Sequence, residues 1–212
     1  MRLRNVKNAY EDLTKSSYFI KNPKENKGKW KKVFQNDNPI HLEIGMGKGQ
    51  FLINMAKTYP HINFIGMEKF ASVLIRAIQK VEEEELSNIR FICEDAKNIE
   101  DFFDKEITTL YLNFSDPWPK TRHAKRRLTS QEFLKSYDII FLKDCHIIQK
   151  TDNILLFAYS LEELSKHGYI LEKVSLDLAN TNIFNIKTEY EEKFSSLGYK
   201  INYVEARKKN TN

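Results

Sequence analysis

The chain has 212 residues, 41% of them apolar and 30% charged, enough for one hydrophobic core to fold without a metal or a disulfide. Its 34 basic residues against 29 acidic ones leave a net charge of +5, which favours an anionic partner. No stretch approaches the roughly 18 consecutive apolar residues of a membrane span, and Met1-Arg2-Leu3-Arg4-Asn5 carries no apolar signal region, so no membrane association is expected and the cytoplasm is the expected location.

Six lysines, Lys21, Lys24, Lys27, Lys29, Lys31 and Lys32, surround Trp30 with only Glu25 opposing them, a pattern that predicts a mobile basic arm within an N-terminal extension of residues 1–38. From residue 39 onward short apolar runs alternate with helical ones. Strands are predicted at 40–44 and 62–67 with a helix at 49–57 between them, which is βαβ order. Ser72 is placed to cap the next helix, whose Val73, Ile75, Ala77, Ile78 and Val81 precede an acidic end at 82–85. Further strands are predicted at 89–93, 109–114 and 145–149, and helices at 130–142 and 154–167, the last ended by Gly168. Residues 169–178 and 199–206 alternate apolar and polar as half-exposed strands of a hairpin do, with a helix at 189–196 between them. The simplest architecture is one α/β sandwich over residues 39–212, its sheet mostly parallel with an antiparallel strand near the C-terminal edge. Cys93 and Cys145 fall inside apolar runs and are expected as reduced core residues. The five histidines, His41, His61, His123, His146 and His167, show no ligand spacing, so no metal is expected.

Chemistry enters at His41-Leu42-Glu43-Ile44-Gly45-Met46-Gly47-Lys48-Gly49, where a strand passes through three alternate glycines into a helix. Backbone without Cβ atoms lets a ligand approach, and a helix N-terminus faces it. A phosphate-binding P-loop needs a longer glycine spacing with Ser or Thr after the lysine, and a dinucleotide fingerprint needs its third glycine one residue later. Glu68 closes the second strand 19 residues after Gly49, where an acid can accept hydrogen bonds from both ribose hydroxyls, and Asp95 follows the third strand with the small Ala96 beside it. Alone, the glycines are a tight turn and each acid a strand-end charge; in this order they predict a nucleoside cofactor.

A second constellation is Asn113-Phe114-Ser115-Asp116-Pro117-Trp118-Pro119-Lys120-Thr121-Arg122-His123-Ala124-Lys125-Arg126-Arg127-Leu128. The strand before it delivers Asp116 to a rim. Pro117 and Pro119 stiffen the turn, Trp118 is suited to stack on a base, and Lys120, Arg122, Lys125, Arg126 and Arg127 put five cations into eight residues, a density suited to phosphates. The bland reading is a capped turn, a half-buried tryptophan and a solvated basic helix start. Downstream, Lys150-Thr151-Asp152-Asn153 precedes a helix that Asp152 or Asn153 can cap, and Thr188-Glu189-Tyr190-Glu191 matches a capping box.

The 113–128 stretch closely resembles the corresponding segment of the bacterial tRNA (guanine-N7-)-methyltransferases, and Glu43-Ile44-Gly45 resembles motif I of S-adenosylmethionine methyltransferases. The resemblance runs from about residue 40 to 206. It implies a Rossmann-like methyltransferase sandwich and S-adenosyl-L-methionine held by Glu43, Gly45, Gly47, Gly49, Glu68, Asp95, Ala96 and Asp116. It also implies tRNA bound by Lys120, Arg122, Lys125, Arg126, Arg127, Asp152, Thr188, Glu189, Tyr190 and Glu191, with methylation at N7 of a guanosine in the variable loop and a monomer or weak homodimer in solution. Asp116 is the expected catalytic residue, as positioner and electrostatic stabiliser, because N7 carries a free lone pair and needs no general base. Two departures stand out: Leu142-Lys143-Asp144-Cys145 lacks the glycine pair expected before that strand, and Asn153 is followed by Ile154-Leu155 rather than a basic residue and glycine. The rival readings are a methyltransferase for another base or for a protein amino group, and a non-catalytic RNA-binding protein on the same fold.

Overall fold

The computed structural model describes residues 6–208. Seven strands form one sheet: β1 (Ile40–Ile44), β2 (Asn63–Met67), β3 (Ile89–Ile92), β4 (Ile107–Asn113), β5 (Phe141–Thr151), β6 (Ile170–Ser175) and β7 (Asn202–Lys208). Their order is β3-β2-β1-β4-β5-β7-β6, with the first five parallel and β7 antiparallel to both of its neighbours. The expected sheet is therefore correct, with one adjustment: the two C-terminal strands do pair, but β7 slots between β5 and β6 instead of closing a plain hairpin. β2 is buried along its whole length and β1 and β4 at all but one position each, as strands covered on both faces must be.

Helices α1 (Ala9–Leu13), α3 (Gln50–Thr58) and α4 (Ala71–Glu82) cover one face; α2 (Trp30–Phe34), α5 (Gln131–Ile140) and α6 (Ile154–Lys166) cover the other. The segment from α1 to α2 crosses from face to face around the β3 edge, where the Phe91 N–H donates to the Tyr18 carbonyl at 2.8 Å and the Ile20 N–H to the Phe91 carbonyl at 2.9 Å. This corrects the mobile arm expected over residues 21–32. The six lysines are exposed, but Trp30 between them is fully buried, stacked 5.3 Å from Phe103, and its indole N–H donates to the Phe102 carbonyl at 2.8 Å.

Other local expectations shift for identifiable reasons. Ser72 is not a cap: Phe70 occupies that position, and the Ser72 hydroxyl oxygen accepts from the Val6 N–H at 3.1 Å. The helix expected to reach residue 142 stops at Ile140, and β5 begins at once. Its register against β4 jumps from Ile107 opposite Phe141 to Thr109 opposite His146, with Asp144 at φ 58°. The loop expected at 142–145 is thus a bulge within a strand, which absorbs the extra residues without a glycine pair. Helix α7 (Glu189–Ser196) matches its predicted bounds, capped by the Thr188 hydroxyl, which accepts from the Glu191 N–H at 2.9 Å. No helix among the described residues is long and apolar enough to cross a membrane.

Candidate active site

β1, β2 and β4 end on one rim, and parallel strands bring the acids that follow them together there. Past Ile44 the backbone turns left-handed at Gly45, Gly47 and Gly49, with φ of 72°, 60° and 77°. Side-chain atoms placed on Gly45 or Gly47 would meet no protein atom within 4 Å, so this side of the loop is open to a ligand. Gly49 has a different reason: a Cβ there would lie 2.8 Å from that of Ala77, so glycine lets α3 start against α4.

Glu68, at the end of β2, binds this loop. Its carboxylate oxygens accept from the Gly47 N–H and the Phe70 N–H, each at 3.1 Å, leaving further lone pairs for a diol. Burial raises its pKa, the backbone donors oppose this, and the nearby Asp116 charge adds to the rise. Glu43 is 2% exposed. Its Oε1 accepts from the Asn113 side-chain amide at 2.8 Å, while Oε2 is buried with no protein partner. Burial pushes its pKa up to about 7 against the opposing pull of Asn113 and Lys150. Asp95 caps a short 3₁₀ turn (Ala96–Asp101), accepting from the Lys97 N–H at 3.1 Å and pairing with the Lys69 ammonium at 2.8 Å. Burial would raise its carboxyl, but Lys69 and Lys97 hold it below its ordinary range.

The turn that carries Asp116 is built as a braced loop. Phe114 enters it at φ 51°, its N–H donating to the Lys150 carbonyl at 2.8 Å, and Trp118 sits at φ 42°. Arg127 donates from Nε to the Pro117 carbonyl and from Nη2 to the Trp118 carbonyl, both at 3.1 Å, and its guanidinium lies 4.3 Å over the Tyr159 ring. Arg126 stacks 4.9 Å over Trp118, whose ring also meets His123 edge-on at 5.8 Å. Two of the five cations therefore shape the turn, and one of them, Arg126, lies over the tryptophan expected to stack on a base. Asp116, Lys120, Arg122 and Lys125 are exposed.

Helix α7 lies across the glycine loop. Glu189 pairs with Lys80 of α4 at 2.5 Å and lies 3.9 Å from Lys48 of the loop itself, while Glu192 accepts from Gln50 at 3.2 Å. The Tyr190 hydroxyl donates to Asp152 at 3.1 Å; burial and that carboxylate push the phenol up to about 12, so it stays a donor. The neighbouring Asn153, not Asp152, caps α6, accepting from the Leu156 N–H at 2.8 Å. Glu191 points the other way, into the interior. At 2% exposure it pairs with Lys150 at 2.7 Å and accepts from the Asn185 amide, and the Lys150 ammonium also donates to the Ile186 carbonyl at 2.9 Å.

The chain compares closely with known proteins. A family model described as "Putative methyltransferase" matches residues 37–204. The tRNA (guanine-N(7)-)-methyltransferase of Lachnoclostridium phytofermentans is 51% identical over 209 residues, covering 97% of this chain and 98% of the relative. The enzyme so named from Bacillus cytotoxicus is 51% identical over 210 residues, covering 98% and 97%. The chain belongs to the tRNA (guanine-N7-)-methyltransferase family. Solved structures of an antibiotic related methyltransferase (TM-score 0.63, 18% identity) and of the 16S rRNA methyltransferase KamB (TM-score 0.64, 11% identity) each cover 86% of this chain and are covered to 93%; both share its fold.

In this member of the family the fold gathers Glu43, the glycine loop, Glu68, Asp95, Ala96 and Asp116 on one rim, with Asp152, Glu189 and Tyr190 beside them. Thr188 is taken up in capping and Glu191 in the interior ion pair. Sequence reasoning missed Asn113, Lys150 and Asn185, which fix Glu43 and Glu191. Lys150 and Asn113 gave one usable signal, a polar residue ending an apolar strand; Asn185 gave none. It also missed that His146, Glu172 and Glu205 converge within 4.8 Å on three neighbouring strands, though Lys173 neutralises Glu205 and Arg207 neutralises Glu172.

Proposed function

We propose that this methyltransferase moves a methyl group from S-adenosyl-L-methionine to N7 of a guanosine in the tRNA variable loop, acting in the cytoplasm as a monomer or weak homodimer. The observation that carries the reading is the seating of α7 against the glycine loop and α4 through Glu189, which brings the proposed substrate helix to the proposed cofactor loop. The residues fit the cofactor. Gly45 and Gly47 leave room along the loop, Glu68 offers acceptors for the ribose diol, and Glu43 keeps a buried carboxylate oxygen without a partner. Asp95 and Ala96 line the adenine side. The bound cofactor supplies an electrophilic methyl group on a positively charged sulfur.

The protein's own part is placement and charge. Guanine N7 attacks with its lone pair, so no residue has to remove a proton, and in-line positioning accounts for much of the rate. Positive charge passes to the purine, and the Asp116 carboxylate stabilises it there. Asp152, oriented by the Tyr190 hydroxyl, and Glu189 offer acceptors to the N1 and exocyclic N–H groups of guanine, which adenine lacks in that arrangement. Thr188 and Glu191 act through α7, one starting it and the other tying it down. Lys120, Arg122 and Lys125 meet phosphates; Arg126 and Arg127 hold the turn in shape.

The test is incubation of the protein with S-adenosyl-L-methionine and unmodified tRNA, followed by nucleoside mass spectrometry and cleavage mapping. N7-methylguanosine in the variable loop is the expected product. Another methylated base, or none, overturns the reading. Asp116→Asn is expected to lower kcat by about a hundredfold, the scale of one lost electrostatic stabiliser, with tRNA binding retained; full turnover would remove Asp116 from the mechanism.

A further inference from the structure

Aromatic rings run outward from the catalytic turn in a ladder. Phe114, two residues before Asp116, lies 4.7 Å from Tyr190 at 36°; Tyr190 lies 4.1 Å from Phe194 at 16°; Phe194 meets Tyr199 at 5.4 Å and 72°. Tyr190 is sandwiched between two rings. Tyr199 ends the ladder at 55% exposure, so at least one of its faces is turned away from Phe194.

Packing does not explain why the ladder reaches the surface. Single exposed apolar residues are ordinary, but this one continues a series that begins at the active turn. Helix geometry also sorts the charges. Lys193 and Phe194 stand three and four positions after Tyr190, and Leu197 three after Phe194, so they share a face, whereas Glu189 and Glu192 face the glycine loop and α3. The acids of α7 are therefore turned away from its aromatic face. Lys193 lies 5.7 Å over the Phe194 ring, and Lys200 follows Tyr199 with an exposed side chain that reaches Asp177 at 3.2 Å. Rings interleaved with cations suit an unpaired nucleic-acid strand, because bases stack on the rings while phosphates meet the ammonium groups.

A methyl acceptor inside a stack cannot reach the sulfonium, so the target base must leave its neighbours, and their lost stacking has to be offset. Resting on the tRNA-methylating reading above, we propose that Tyr199 is a stacking platform for the base of a nucleotide flanking the target guanosine, with Lys193 and Lys200 at its phosphates. The platform holds the strand open while the target base sits at Asp116.

The test uses tRNA carrying 2-aminopurine one position 5′ or 3′ of the target guanosine, with wild-type protein and the variants Tyr199→Phe, Tyr199→Leu and Tyr199→Ala. Binding to the wild type is expected to change the 2-aminopurine fluorescence at one of the two positions. Tyr199→Phe keeps the signal. Tyr199→Leu and Tyr199→Ala lose it and raise the Kd for tRNA at least about fivefold, the lower end of what one base stacked on one ring contributes. Unchanged S-adenosyl-L-methionine affinity in every variant shows that the fold is intact. A Tyr199→Leu protein that binds and reports like the wild type makes Tyr199 a packing residue and overturns the proposal, as does a wild type with no fluorescence change at either position. If the signal behaves as expected but no N7-methylguanosine forms, the function proposed above fails and the platform stands.

Discussion

Glu43 is an ionisable group in the glycine-loop rim at 2% exposure. Its carboxyl titrates at 4.5 in the free side chain and near 7 in the fold, mainly because burial disfavours the anion. The folded state thus holds the proton more tightly than the unfolded state does. The contribution to stability is whole below about pH 4.5 and is lost as pH rises through 7. Glu43→Gln never ionises and keeps an acceptor for Asn113, so the cofactor-free variant should be more stable than the parent at pH 8, by up to roughly 3 kcal/mol, and no more stable near pH 4.5. Urea unfolding at both pH values checks this; an equal difference at both would mean that ionisation is not the cause. The basic run divides at the same scale. Arg122→Ala should lower the slope of log K against log salt by about 1 with little change in melting temperature. Arg127→Ala should lower the melting temperature, because two carbonyls of the turn lose their donor. The sequence showed the five cations as one cluster, since charge density is local; which of them turn back onto their own loop depends on where Pro117, Trp118 and Tyr159 come to rest.

At the scale of elements, α7 and the end of β5 form a single unit. α7 was legible in the sequence to its bounds because its cap, Thr188, and its apolar spacing lie within a few residues of each other. Its anchor was not, because Lys150 and Glu191 are 41 positions apart and Glu191 reads as a capping-box or substrate residue, not as the partner of a strand-end lysine. Burial lowers the lysine's pKa, and the neighbouring Glu191 carboxylate opposes the change. Lys150→Met leaves that carboxylate in the interior without its cation, with the Asn185 amide as its remaining side-chain donor, and should cost about 3–5 kcal/mol, with hydrogen exchange rising first in α7. Adding Glu191→Leu should restore most of the stability, since an apolar pair of similar volume removes both desolvation penalties. Thermal unfolding of the single and double variants measures the difference; no recovery in the double variant would show that the pair is not the anchor. The bulge at Asp144 teaches the same lesson in a strand. An apolar run fixed β5 at 145–149, but its early start at Phe141 follows from pairing with Ile107, a partner that sequence spacing does not reveal.

For the molecule as a whole, the N-terminal segment acts as a strap that joins both helical layers across the β3 edge. Trp30→Ala should therefore destabilise the entire sheet, by about 3–5 kcal/mol, in one cooperative transition rather than free a loose arm. A separate early transition in calorimetry would contradict that. The lysines concealed the strap because composition was averaged over the segment, while burial is decided residue by residue. What the sequence by itself determined is the α/β order, the mostly parallel sheet, the glycine turn, and the acids at three strand ends, since each rests on periodicity or on a conformation only particular residues adopt. The tertiary structure alone decided which charges meet. It tied Glu191 to Lys150, left an oxygen of Glu43 unpaired in the interior, laid Arg126 on Trp118 and Arg127 on the carbonyls of its own turn, and set the aromatic face of α7 against Phe114. Those outcomes depend on contacts between residues far apart in the chain, and a linear pattern carries no distance between them.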